Sequence, residues 1–359
     1  MINLFNRSKR SAIGVDVGGR SIKALQLSEG ADGWQVQATA SFARTTFDAP
    51  LGRVELNRLA DVLVRRSFHG NKIVLAAPPD KLVTGAMELP ARISGAALNA
   101  AARTEFGRAF KCNLDAAEMT FWDLPAPARA SKTTHVMAIA CAHADSEELI
   151  DLCADSELDL VGIDVRSWAM ARGCGPEAHA DGVIILLELG WNNAVLVMLH
   201  GGIVVYERAI AEGGIKHLES TLASELRIAP QITQYVLRGP GIRTDAKGAP
   251  AAAEGAWEIA PDLLEEVRGV IAAHFDKVSQ ELLASISYTT HQYPDAPVAK
   301  LLLLGGGAMI PGVPEYMRIL GFECVVATPL AGASCAPEVA QECDAGLTTA
   351  AGLAQFNEW

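Results

Sequence analysis

Hydrophobic positions in the first 45 residues fall into three runs separated by short glycine-rich breaks. Residues 12–17 are apolar apart from Asp16, residues 22–27 carry Ile22, Ala24, Leu25 and Leu27, and residues 34–42 follow a Gly-Ala-Asp-Gly turn at 30–33. Runs of this length joined by tight turns predict a three-stranded antiparallel meander. Residues 56–68 place Leu56, Leu59, Val62 and Leu63 at helical spacing, and 72–77 has the pattern of a buried strand. The rhythm then changes. An Ala-rich helix is predicted at 96–110, strands at 118–124 and 134–142 with a Pro/Ala loop at 125–132 between them, and a helix at 146–156 with Leu149, Ile150 and Cys153 on one face.

The large-sheet pattern resumes with strands at 183–188, 194–199 and 203–209, turning at 190–193 and 200–202. Helices are expected at 215–226 and 232–237. Residues 239–261, dense in Gly, Pro and Ala, read as a mobile loop. A long helix over 261–293 presents Val267, Val270, Ile271, Val278, Leu282 and Ile286 as its core face. Strand 300–304, three glycines, a helix from Val313, strand 323–327 and a helix from Ala345 complete the chain.

A meander with an acidic residue just before its first turn thus occurs at Asp16 and recurs at Glu188, about 170 residues later. Such self-similarity predicts two related α/β domains facing a shared cleft. The expected division is 10–77 with 160–180 for the first domain and 78–159 for an inserted α+β subdomain. Residues 181–359 form the second domain, with a helical subdomain at about 215–295.

Composition narrows the function classes. Half of the 359 residues are hydrophobic and the formal net charge is −12, so a phosphate backbone would be repelled and no nucleic-acid partner is expected. No run approaches the roughly 18–20 apolar residues of a membrane span, and the basic first ten residues lack a signal-peptide core. Neither direct membrane insertion nor a secretion signal is therefore expected. The seven cysteines show no Cys-x-x-Cys spacing and read as reduced core hydrophobes. The eight histidines are scattered without ligand spacing, and Glu265-Glu266 reads as a solvated helix face.

Three loops carry candidate chemistry. In the first, Asp16, Gly18, Gly19, Arg20, Ser21 and Lys23 combine a strand-end carboxylate, a glycine turn whose amides can approach an anion, and a cation for a terminal phosphate. A glycine-rich hairpin with one exposed Asp and Lys is an equal reading of that loop taken alone. The second copy has Glu188, Gly190, Trp191, Asn192 and Asn193; its acid is longer and Trp191 adds bulk. Asp16 and Glu188 are the candidate Mg²⁺ positions, through water. The third, Gly305, Gly306 and Gly307 before Met309, Ile310, Pro311 and Gly312, follows an apolar strand and lets backbone lie against a ring or a phosphate. The order and spacing of all three is a stronger signal than any one.

On these residues the chain resembles the PilM family of type IV pilus assembly proteins, relatives of the division protein FtsA within the actin-like (ribonuclease H-like) ATPase fold. The resemblance runs over nearly the whole chain. It includes Asn3-Leu4-Phe5 and 7–10, Gly14-Val15-Asp16 through Lys23 to Leu27, 74–78, 87–90 and Gly162-Ile163-Asp164-Val165. It continues through Gly213-Gly214 with Leu218, the three glycines with Ile310-Pro311-Gly312, and Asp344 with Ala351-Gly352-Leu353. The position of the insert separates these proteins from actin and from sugar kinases.

The resemblance implies ATP or ADP with Mg²⁺ in the cleft, adding Gly213 and Gly214 to the nucleotide-binding residues. It implies a cytoplasmic scaffold, peripheral at the inner membrane, that binds the N-terminal cytoplasmic tail of a bitopic PilN-like protein; pilus motor components are further partners. A related type II secretion-like machine is the neighbouring role. Departures cluster where hydrolysis chemistry would sit. Glu188 replaces the family's usual Asp, Asn192-Asn193 replace hydroxyl residues, Arg166 stands where relatives carry a water-orienting Glu, and the adenosine-embracing Glu-x-x-Lys becomes Gln234 to Leu237. Loss of a water-orienting acid slows turnover by orders of magnitude, so the expected activity is at most a slow ATPase. A catalytically active ATPase or small-molecule kinase of the same fold is the alternative. A filament former such as FtsA is disfavoured, because the chain stops soon after its last core helix without a membrane-targeting helix.

Overall fold

A computed structural model of the chain describes residues 9–30, 33–90, 95–126, 133–242 and 260–356. The predicted loops at 125–132 and 239–261, and the segment 3–10, lie largely outside the described residues.

The first meander forms as its pattern requires: β1 (Ile13–Val17), β2 (Ser21–Gly30) and β3 (Gly33–Ala43) pair antiparallel, with Asp16 directly across from Lys23. Helix α1 (Arg53–Arg65) crosses to β4 (Lys72–Ala76), which lies parallel to β1. Leu56, Leu59 and Leu63 of α1 bury against Ile13, Ile22 and Ile73. Each such side chain contributes about 1.5–3 kcal/mol on removal from water.

The inserted segment holds β5 (Leu82–Pro90), α2 (Gly95–Phe110), β6 (Ala117–Asp123), β7 (Thr133–Ala142) and α3 (His143–Ala154). Its sheet runs β5-β7-β6, all antiparallel, with Phe106 of α2 fully buried among Leu89, Val136 and Ala138. β5 was not foreseen, because its mostly exposed positions give no clean alternation. Ile150, expected on the apolar face of α3, is 46% exposed; Cys153 does bury, against the core between the first sheet and α1. The chain re-enters the first sheet through β8 (Asp159–Asp164), giving the order β3-β2-β1-β4-β8.

After α4 (Arg166–Gly173), strands β9 (Val183–Leu189), β10 (Ala194–His200) and β11 (Ile203–Ile210) repeat the meander. Helices α5 (Ile215–Glu225), α6 (Pro230–Arg238) and α7 (Pro261–Gln292) follow, then β12 (Val298–Leu304), α8 (Val313–Met317), β13 (Glu323–Val326) and α9 (Thr348–Ala354). The second sheet runs β11-β10-β9-β12-β13, the same topology as the first. All seven residues of β9 are buried, as expected for a central strand covered on both faces. One of them is Glu188.

Two helices exchange places across the junction. Met170, Ala171 and Cys174, on α4 and at its end, pack on Ile184, Leu186, Val197 and Leu199 of the second sheet. Ala350, Ala351 and Ala354 of α9 pack on Leu25, Leu27 and Val36 of the first. The helices touch where Gly173 meets Thr348 and Gly352 meets Ala169; a Cβ on either glycine would overlap a backbone carbonyl. These close contacts bring the ends of β1 and β9 to the floor of one cleft. Of the cysteines, Cys153, Cys174 and Cys324 are buried as expected, while Cys112, Cys141, Cys335 and Cys343 are half-buried. Among the described residues, no helix is long and apolar enough to cross a membrane.

Candidate functional site

The ends of the two meanders and the strand-to-helix turn after β12 open into a cleft of about 680 Å³. Asp16, Gly18, Gly19, Arg20, Ser21, Lys23, Glu188, Gly190, Asn192, Asn193, Gly305, Gly306, Gly307 and Met309 all line it. Gly213 and Gly214 do not. They lie behind the second loop, where a Cβ on Gly214 would strike the backbone of Asn192, and the Ile215 and Lys216 amides donate to the Gly190 and Trp191 carbonyls. Gly305 adopts φ +79°, a left-handed conformation that favours glycine, and a Cβ there would crowd the carbonyl oxygen of Leu189. Gln234 and Leu237 of α6 reach the same cleft, as does Glu207 of β11.

The floor is organised by Arg166. Asp164 accepts a hydrogen bond from the Val165 amide at 2.7 Å and pairs with the buried Arg172, which in turn donates from Nε to the Gly352 carbonyl. Burial raises the Asp164 carboxyl's pKa despite Arg172 beside it. This network fixes the first turn of α4 and aims Arg166 between the two halves. Its Nη1 donates to Asp16 Oδ1 at 2.7 Å, while Nη2 and Nε grip Glu188 Oε1 and Oε2 at 2.7 and 3.1 Å. Lys23 Nζ sits 3.5 Å from Asp16 Oδ2, and Thr349 Oγ1 lies 3.4 Å from Glu188 Oε1.

Asp16 and Glu188 are only 1% and 4% exposed. Burial by itself would raise the Asp16 carboxyl, but Arg166 and Lys23 outweigh it and hold the group below the ordinary carboxylate range. Although burial disfavours the charged guanidinium, the two carboxylates push the Arg166 pKa further upward.

Those contacts test the expected metal. Mg²⁺ needs oxygen ligands or waters in an octahedron at about 2.0–2.1 Å, and here a guanidinium already bonds both acids. Among the described residues no group of three or more His, Cys, Asp or Glu side chains is arranged to hold a metal ion. With Arg166 bonding both acids, the side chains as they stand do not fit the Mg²⁺ expected at Asp16 and Glu188. A nucleotide fits better. The Gly18–Ser21 turn, the second loop and the open face at Gly306 offer backbone to phosphate or ring, with Lys23 beside them.

The mouth of the cleft is bridged as well. Arg20 pairs with Glu219 at 2.7 Å and lies 4.6 Å from the Trp191 ring centroid; Lys216 pairs with Asp48 at 2.5 Å, and Phe47 packs edge-on against Trp191. Arg20, read from sequence as a nucleotide ligand, is engaged here between the first meander and α5. These contacts are part-exposed, so Arg20→Ala is expected to cost only about 1–2 kcal/mol, measured by urea denaturation.

Residues 14–228 match the family described as type IV pilus assembly protein PilM. The chain belongs to the PilM family. A solved PilM–PilN type IV pilus biogenesis complex superposes with a TM-score of 0.75 at 19% identity, covering 96% of this chain and 98% of that one. The ethanolamine utilization protein EutJ from Carboxydothermus hydrogenoformans gives 0.55 at 14% identity, over 97% and 90%. MreB5 of Spiroplasma citri bound to AMPPNP gives 0.54 at 13%, over 96% and 95%. At such identities the superpositions establish the actin-like fold that the repeated meanders implied. Within this PilM-family chain, sequence reasoning singled out Arg166 only as a departure. It missed Thr349, Glu207 and the Glu219 partner of Arg20, whose roles depend on distant elements meeting and leave no local pattern.

Proposed function

We propose that this protein is a scaffold of a type IV pilus assembly machine, holding ATP or ADP in its cleft with little or no hydrolysis. In this reading it grips the N-terminal cytoplasmic tail of a PilN-like membrane protein. Membership of the PilM family supports the pilus role, and the solved PilM–PilN complex makes a PilN-like protein the natural partner. The observation that carries the scaffold reading is Arg166. It sits at the start of α4, where a water-orienting acid would serve hydrolysis, and is consumed by two structural ion pairs. A guanidinium cannot act as a general base at neutral pH.

The inserted subdomain is the candidate surface for the tail. β5 and β6 are the outer strands of its sheet, each paired only with β7 among the described residues, and an extended peptide can add to such an edge. Association through the partner would hold the protein at the inner membrane.

Calorimetric titration with the N-terminal tail peptide of the PilN-like protein encoded with it is expected to give saturable binding in the micromolar range or tighter, about −8 kcal/mol or more. Phosphate release from ATP is expected to stay near background, below about 10⁻² s⁻¹. Absence of tail binding together with robust phosphoryl transfer to a sugar or acid panel would overturn the scaffold in favour of a kinase.

A further inference from the structure

We infer that Arg166 replaces the divalent cation in this cleft, so that nucleotide binding is independent of Mg²⁺. This rests on the reading that a nucleotide enters the cleft, and deepens it by naming the ionic form accepted.

All four carboxylate oxygens at the floor are already claimed. Asp16 Oδ1 takes Arg166 Nη1 and Oδ2 faces Lys23; Glu188 Oε1 takes Arg166 Nη2 and Thr349, and Oε2 takes Arg166 Nε. The two floor carboxylates are thus paired with two cations of the chain itself, and a hydrated dication would have to displace them. The fork of the guanidinium matches this geometry: one nitrogen serves the first meander, and two serve the second as a bidentate pair. A metal inserted at the same place would lie against a fixed positive charge that cannot be removed by deprotonation. Ligand phosphates would instead be met by the amides of the two turns and by Lys23, which lines the same cleft.

The built-in cation also does what a shuttling metal cannot. Asp16 belongs to the first sheet and Glu188 to the second, while Arg166 begins the helix that leaves the first and packs on the second. The cation of this bridge is therefore covalently tied to the junction.

Two measurements test this. In the first, Mn²⁺ alone is titrated and followed by electron paramagnetic resonance. Wild type is expected to show no saturable binding up to about 1 mM, whereas Arg166→Gln, which exposes the two acids to a single lysine, gains a site at least about tenfold tighter that Glu188→Gln then removes. In the second, ADP is titrated into wild type in EDTA and in Mg²⁺, and the two affinities should agree within about twofold. Saturable Mn²⁺ binding by wild type that Asp16→Asn abolishes would overturn the inference, as would a tenfold weaker ADP affinity in EDTA. If ADP binds in neither buffer, the cofactor part of the proposed function fails, while the Mn²⁺ arm still decides the role of Arg166. Both wild-type arms stand even if Arg166→Gln does not fold.

Discussion

Truncating Arg166 to alanine is expected to destabilise the folded chain by about 3–5 kcal/mol at neutral pH, measured by urea denaturation. The size follows from what the variant leaves behind. Asp16 and Glu188 are almost fully buried, and without the guanidinium their side-chain partners among the described residues are Lys23 at 3.5 Å and the Thr349 hydroxyl at 3.4 Å. An unpaired buried carboxylate costs far more than the pair gained over water, so the penalty comes from the abandoned acids rather than from the lost contact. Removing the exposed Arg66–Glu342 pair, 53% and 40% accessible, should by contrast change stability by less than about 1 kcal/mol. Adding Glu188→Gln to Arg166→Ala should recover part of the loss, because the amide carries no charge to strand.

The pH dependence separates the charge from simple packing. In wild type the Asp16 pKa lies below its unfolded value of 3.8, so its stabilising contribution is complete above that value and disappears only as pH falls through the lower folded value. In Arg166→Ala the main force lowering it is gone and burial remains, so acidification relieves the variant instead. The stability gap between wild type and variant should narrow between pH 7 and about 4. A gap that stays constant, or a total cost under about 1 kcal/mol, would show that the bridge is not holding the two halves together.

Much of this architecture is legible in the chain because each sheet strand carries its own period. Val183–Leu189 is apolar nearly throughout, and a fully buried central strand is what results. The duplication of Asp16 by Glu188 foretells two sheets of equal topology. β5 escaped because its exposed positions break the alternation that marks a strand, and Ile150 misled because Leu149, Leu152 and Cys153 supply the side of this helix that meets the core, leaving the adjacent position to solvent. At the site, the three loops were identifiable from glycines and charge, whereas the ion bridge was not. Arg166 is separated by 150 residues from Asp16 and by 22 from Glu188. Nothing local in a lone arginine after Asp164-Val165 distinguishes a metal surrogate from a surface charge. Gly213 and Gly214, which entered through the resemblance, lie outside the lining of the cleft, with Gly214 packed against the back of the second loop.

A second large effect is expected from acid, and it too acts behind that loop. His274 of α7 is 6% exposed, packs edge-on against Phe275 and lies 6.1 Å, ring to ring, from His217 of α5. Its Nε2 is buried without a hydrogen-bond partner among the described residues. Burial, reinforced by His217 and Lys277 and opposed by the Gly213 backbone, pulls its pKa down to about 4, against 6.5 in the unfolded chain. Between those values the unfolded chain binds the proton and the folded one does not, so falling pH favours unfolding. The stability present above pH 6.5 should decline by about 3 kcal/mol by pH 4 through this one ring. His274→Gln removes the titration while keeping a polar side chain of similar reach. Denaturation curves at pH 7, 6, 5 and 4.5 should show wild type losing stability more steeply than the variant across that window. Equal slopes would mean the ring accepts its proton without cost in the fold. Because the backbone of Gly213 bonds this ring and the adjoining Gly214 packs against the backbone of Asn192 and Asn193, the same titration should loosen the second loop before the remote inserted segment, which amide exchange resolved by segment would register.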